Sequence, residues 1–408
     1  MCPFPMMQSK SVSRFSHITK LADFSSYFSH FEGHQDCSLT SKDLYTRPSL
    51  QDESTPKHTL YCRNRATLLQ AMSEGGRHGF ERPYSPAGCH YRWYSTAEIC
   101  MILERFDAIV FIGDDTLKHV YAAFNMLLRE NIATGALKQW DMTDTERLAC
   151  RCDNQFIKPE CSKHFITDSL TVSTNAESSS AHKSPYTCNR TPPPPSTASP
   201  NLTQSKKLGT PHFYLPITTS PSPPPLHTNL TTLLASNPDA YKPIPTIHSL
   251  SLATSLSWPA ATASMDEWIA LADASGRNVP YLWLGPTAAG HLKPPGRILS
   301  EGNNAVWHYA LETAKEARAR QVDVLGMYNL TLQANSWDGS FYGLRVGLVQ
   351  AMMVRSSLYD DDDIEMEAAL TRLGYQLVVE GRINVDGWPR RALRRMLLMG
   401  QKMLKLDR

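Results

Sequence analysis

"FDAIVFIGDDTLKHVYAAFNMLLREN", running from Phe106 to Asn131, decides how this chain reads. Its first part is a short apolar run of β-branched and aromatic residues that stops at Gly113. That predicts a buried parallel strand, polar only at its carboxyl end. Past the Gly-Asp-Asp turn, Leu117, Val120 or Tyr121, Phe124 and Leu127 or Leu128 recur at helical spacing. A strand, a tight turn and an amphipathic helix form the first half of a βαβ unit. Sites in open α/β sheets lie at the carboxyl ends of strands, so chemistry is expected between Gly113 and Thr116.

Strands and helices alternate on either side of this stretch. Upstream, "NRATLLQAMSEGG" predicts a helix with Ala66, Leu69 and Met72 on one face, and Ser95 or Thr96 can cap a short helix carrying Ile99, Ile102 and Leu103. Downstream, "IPTIHSLSL", "VPYLWLGP" and "VDVLGMYNL" read as strands. They alternate with the helices "MDEWIALADASG" and "NNAVWHYALETAKEARARQ", in the second of which Val306, Tyr309 or Ala310, Thr313 and Ala317 share a side. "DGSFYGLRVGLVQAMMV" reads as a loop entering a last helix. The pattern predicts an α/β fold with a parallel sheet and helices on both faces. Residues 1–58 are polar and aperiodic and read as a disordered leader. Residues 169–243, rich in Pro, Ser and Thr, read as a long disordered insertion between two half-domains, 59–168 and 244–358. Residues 359–408 read as an acidic run and a basic helical tail suited to a protein partner.

The 408 residues carry a net charge of +2, which makes no case for a nucleic-acid partner. No stretch of eighteen apolar residues occurs, so no transmembrane helix is predicted. Nine cysteines and four N-x-S/T sequons, starting at Asn189, Asn201, Asn229 and Asn329, point to the secretory pathway (Golgi or extracellular), with an N-terminal anchor missing from this sequence. A cytoplasmic protein with reduced thiols is the alternative. Cys62 and Cys89 are candidates for a pair. Cys150, Cys152, Cys161 and His164 could hold zinc, but Cys-x-Cys spacing is unusual for it, and disulfides or surface thiols are favoured. No metal and no cofactor is expected.

At "FIGDD" the chain resembles the SGNH (GDSL-type) hydrolases, in particular their PC-esterase branch. That branch opens with Gly-Asp-Ser before a helix and closes with Asp-x-x-His before the last helix. The closing motif has its counterpart in "WDGSFYG", beside Trp337. The resemblance implies a three-layer, flavodoxin-like fold and ester chemistry on acylated glycans. In such a site a serine attacks the ester carbonyl, a histidine takes its proton, and backbone N–H groups with a glycine and an asparagine stabilise the oxyanion. Gly113, Asp114, Asp338 and Gly339 match. The nucleophile position holds Asp115, the histidine position holds Phe341, and Thr254 in "HSLSLAT" stands where asparagine is expected. An ionised carboxylate only accepts hydrogen bonds and repels an oxyanion, and phenylalanine takes no proton. Serine-esterase activity is therefore not expected.

Asp114 is expected to bond the turn backbone and Asp115 to cap the helix. The alternative is an active esterase or O-acyltransferase in which Asp115 attacks and His291, on the loop "AAGHLKPPG", replaces the base. His119, His248 and His308 rank below His291. Among the aromatic residues, Trp337 is the candidate to line a ligand groove, with Gly113, Thr254 and Gly339 around it. Tyr91, Trp93, Tyr94, Trp283 and Trp307 are expected in the core. Three readings follow: a catalytically degenerate glycan-binding relative, the Asp115 enzyme, and a protein-interaction scaffold.

Overall fold

A computed structural model describes residues 27–46, 61–175, 185–189, 209–235 and 242–358. A short antiparallel ribbon, β1 (Gly76–Arg77) with β2 (Tyr84–Ser85), precedes the main sheet. The sheet is built from β3 (Ile109–Gly113), β4 (His212–Pro216), β5 (Thr246–Ser249), β6 (Tyr281–Leu284) and β7 (Asp323–Leu325), all parallel and in the spatial order β4-β3-β5-β6-β7. Counting its five strands in chain order gives 2-1-3-4-5. That is the order of doubly wound, flavodoxin-like sheets, whose strand order reverses between their first and third strands.

Alternation along β3 sorts the core into two layers. Ile109 and Phe111 join one apolar cluster, Val110 and Ile112 the other, because successive strand residues point to opposite faces. The first face carries α1 (Arg65–Glu74), α2 (Thr96–Leu103), α3 (Asp115–Arg129) and α7 (Leu344–Ser357). The second carries α4 (Pro224–Ala235), α5 (Trp258–Ala274) and α6 (Asn303–Ala319). Ser95 caps α2 through a reciprocal pair: its Oγ accepts from Glu98 N–H, and Glu98 Oε2 accepts from Ser95 N–H at 2.8 Å. On α6, Val306, Tyr309, Thr313 and Ala317 are buried, as their spacing predicts. Helix α3 is buried almost all round from Thr116 to Arg129, since α7 packs along it and the segment around Ala136, Phe156 and Phe165 covers it. Only Asp115, Lys118 and His119 near its start reach towards solvent.

Three expectations need correction. Part of the leader is built into the core: Tyr27, Phe28, Phe31, Leu39, Leu44 and Tyr45 are buried, with Tyr27 and Tyr45 against Trp93. The presumed insertion contributes an edge strand and a helix. "HFYLP" pairs with β3 from Ile109↔His212 to Gly113↔Pro216. "PPLHTNLTTLLA" forms α4, which tolerates two prolines in its first turn, where no N–H is needed, and buries Leu230 and Leu234. Helix α5 begins at Trp258, seven residues before the expected start, with Ser257 as its cap and Pro259 in its first turn. Residues 169–175, which form a short helix, and 185–189 are also described; residues 1–26, 47–58, 176–184, 190–208 and 236–241, and the whole tail, lie outside the described residues.

Four disulfides join Cys37 to Cys152, Cys62 to Cys89, Cys100 to Cys188 and Cys150 to Cys161. Cys62 and Cys89 pair as expected. Cys150, Cys152 and Cys161 are all bonded to sulfur, which removes the zinc alternative. Among the described residues no helix is long and apolar enough to cross a membrane. Tyr91, Trp93, Tyr94 and Trp283 are core residues, whereas Trp307 is 44% exposed and rests on Tyr328.

Candidate functional site

The strand order reverses between β3 and β5, and the loops leaving those strands meet at their carboxyl ends. Gly113 makes the meeting physically possible. A Cβ there would stand 2.4 Å from Ser249 O and 2.7 Å from Leu117 Cδ2, closer than any side chain tolerates. Asp114 follows with extended backbone and is the N-cap of α3, its Oδ1 accepting from Thr116 N–H at 3.1 Å. Its Oδ2 accepts from Ser251 N–H at 2.8 Å, Ser251 Oγ at 3.0 Å and Ala253 N–H at 3.4 Å. One buried carboxylate thus ties the start of α3 to the loop after β5. Burial raises the Asp114 pKa, and the bonds from Ser251, Ala253 and Thr116 work the other way.

Asp115 has a different role from the one expected. The cap belongs to Asp114, because the residue with non-helical backbone does the capping. Asp115 is the first helical residue, its side chain 71% exposed and 3.8 Å from Lys118 Nζ. Thr254 closes its own turn by donating to Ser251 O at 3.1 Å. Ser251 Oγ also approaches Thr116 Oγ1 at 3.5 Å.

The closing motif comes to the same edge of the sheet. Asp338 Oδ1 accepts from Ser340 N–H and Phe341 N–H, both at 2.7 Å, so this oxygen shapes the turn. Gly339 has φ +83°, and a Cβ there would stand 2.2 Å from Lys293 N; its carbonyl accepts from Gly290 N–H at 3.0 Å. Buried Lys293 clamps the two loops, with Nζ 2.6 Å from Ser340 Oγ and 3.0 Å from Glu301 Oε2. Phe341 lies against His119, ring centroids 4.9 Å apart, and stacks on Trp337 at 6.0 Å. Helix α3 therefore connects the two halves of the site, since His119 lies one turn beyond Asp115.

His119 is the functional candidate that sequence reasoning undervalued. Its ring sits among Phe156, Phe165 and Phe341, and its Nδ1 is buried with no hydrogen-bond partner. Burial, and then the Lys118 charge, hold its basicity well below that of an ordinary histidine. The signal was its i+4 spacing from Asp115. His291, ranked above it, is exposed and packs edge-on against Phe80 at 5.3 Å. His248 is buried between Tyr281 and Ser264, its pKa lowered to about 3 by desolvation.

No group here combines a nucleophile with a base. Ser251 donates to a carboxylate with no imidazole between them, Lys293 is ion-paired, and Phe341 fills the place of the expected proton acceptor. Among the described residues no cluster of His, Cys, Asp and Glu has the make-up to hold a metal ion. A groove of about 390 Å³ runs beside α1, lined by residues including Tyr61, Thr67, Gln70 and Gly88, but no site residue borders it. Compared with protein families, curated proteins and solved structures, the chain matches none of them.

Proposed function

We propose that this chain is a catalytically silent relative of the SGNH hydrolases of the PC-esterase type. In this reading it binds an O-acylated glycan or a similar ester without hydrolysing it. One observation carries the reading: the sheet edge that would hold the nucleophile presents a solvent-exposed Asp115, and the position of the base is a phenyl ring packed on His119. The sheet order and the arrival of the closing motif beside α3 support kinship. The two substitutions argue against turnover. Losing either the nucleophile or the base alone typically costs several orders of magnitude in rate.

The ligand surface in this reading is the aromatic pair Trp337 and Phe341, both partly exposed. Aromatic faces stack on the C–H faces of sugars. The same reading puts the chain in the secretory pathway, with which four disulfides are compatible.

The test is turnover of a chromogenic acetyl ester and of an acetylated glycan by the protein and its Asp115→Ala variant. Neither is expected to turn over either substrate. The acetylated glycan is expected to raise the Tm of the parent and not that of Trp337→Ala. Turnover that disappears in Asp115→Ala would overturn the silent reading and make Asp115 catalytic.

A further inference from the structure

Four sequons invite N-linked glycan, and the fold treats the two whose side chains it describes in opposite ways. Asn229 lies on α4, the helix that buries Leu230 and Leu234 against the second face of the sheet and turns its other side outward. Asn229 and the threonine of its sequon, Thr231, are both exposed. The Thr231 hydroxyl bonds only the helix's own His227 O, at 2.9 Å. A glycan there projects into solvent and disturbs no packing.

Asn329 is sealed. It sits just past β7, where its Nδ2 donates to Ser73 O at 3.0 Å, and Ser73 Oγ in turn accepts from Gly326 N–H at 2.8 Å. Thr331, the hydroxyl residue of that sequon, is fully buried, donating to Met327 O and accepting from Ala288 N–H. A sugar on Nδ2 would crowd the contact with Ser73 O, and the Thr331 hydroxyl that the sequon requires is buried and bonded in the fold.

We infer that Asn229 carries an N-linked glycan on the α4 face and that Asn329 does not. The inference rests on the secretory reading, since the oligosaccharide donor is a lipid-linked pyrophosphate found in that pathway. In the transfer, the Asn229 Nδ2 loses a proton and bonds the anomeric carbon of the sugar. The bond from that carbon to the pyrophosphate oxygen breaks, and the lipid pyrophosphate leaves with the electron pair. The modification lies on the sheet face opposite α3 and leaves the proposed ligand surface clear.

The full chain is purified from the cells that make it, and glycopeptides are mapped by mass spectrometry before and after peptide N-glycosidase. Alkylation without reduction is run on the same sample to report the disulfides. Expected are a glycan at 229 that the enzyme removes to leave aspartate, an unmodified Asn329, and an Asn229→Gln chain smaller by one glycan. Intact disulfides with a bare Asn229, or any glycan on Asn329 in folded protein, would overturn the inference while sparing the secretory reading. Reduced cysteines with no glycan would overturn both.

Discussion

Asp114→Ala is expected to cost far more than Asp115→Ala, although the two residues are neighbours of one chemical type. The alanine removes the cap of α3, worth about 1 kcal/mol. It also strands the Ser251 N–H, which is buried and donates to Asp114 Oδ2 at 2.8 Å; an unpaired buried donor costs about 1–3 kcal/mol. Ser251 Oγ can turn to Thr116 Oγ1, and Ala253 is exposed to water, so those two bonds add little. Burial of the Asp114 charge, which raises its pKa, offsets part of the gain. The net is about 2–3 kcal/mol, a fall in Tm of roughly 3–5 °C for a domain of this size. Asp115 is exposed and contributes only a helix-dipole and Lys118 interaction, at most about 0.5 kcal/mol. Thermal unfolding of the two variants and of Asp114→Asn, which keeps one acceptor and should fall between them, reads the difference. An Asp115→Ala variant as damaged as Asp114→Ala, or an Asp114→Ala variant within about 1 °C of the parent, would refute the assignment of the cap.

Acid should destabilise the fold through His212 and His248, both fully buried and lowered to about 3 by desolvation. The unfolded chain takes up their protons below about pH 6.5 and the folded chain does not, so stability falls as pH drops through that value. At pH 5 the loss is up to about 2 kcal/mol for each histidine, while the raised Asp114 pKa acts in the opposite sense at lower pH. Urea unfolding at pH 7.5 and 5 measures this, and equal stabilities with no net proton uptake would contradict the burial argument. Cys100→Ser with Cys188→Ser should lose about 4–5 kcal/mol, since that bridge closes a loop with a sequence separation of 88. Calorimetry of the double variant checks it, and a loss below about 1 kcal/mol would mean that Tyr186, buried and bonded to Asn125, holds the segment by itself.

The strands flanking the site were legible because each is a local apolar run ended by a turn, and α6 because its period is written into its own residues. What escaped is held by distant partners. Residues 27–46 show no period, and Cys37–Cys152 with the packing of Tyr27 and Tyr45 on Trp93 orders them. Strand β4 hides between Pro- and Ser-rich stretches, and only its register with β3 identifies it. Helix α4 looked unfoldable because its prolines were weighed without their position, yet at a helix start they are harmless. The site shows the same division. The Gly-Asp turn and its place on the sheet could be read locally. Which aspartate caps depends on a backbone angle, and the contact between His119 and Phe341 depends on two segments 222 residues apart in number.

If the proposed kinship holds, that contact also bears on why the site keeps its architecture without a nucleophile. In an active arrangement, the residue at position 341 would have to face the nucleophile and exchange protons, so it would need a polar partner and water. Here the ring at 341 instead completes an aromatic shell around His119, together with Phe156 and Phe165. A shell of that kind favours a neutral imidazole, as the lowered basicity of His119 reflects. Histidine at 341 would place a second polar ring against the same apolar walls. The Asp115→Ser, Phe341→His chain is therefore expected to lose stability without gaining ester turnover, because those walls disfavour the charged imidazole that a general base becomes. Measurable hydrolysis by that double variant would show that only two side chains separate this edge from an esterase, and that the shell around His119 is incidental.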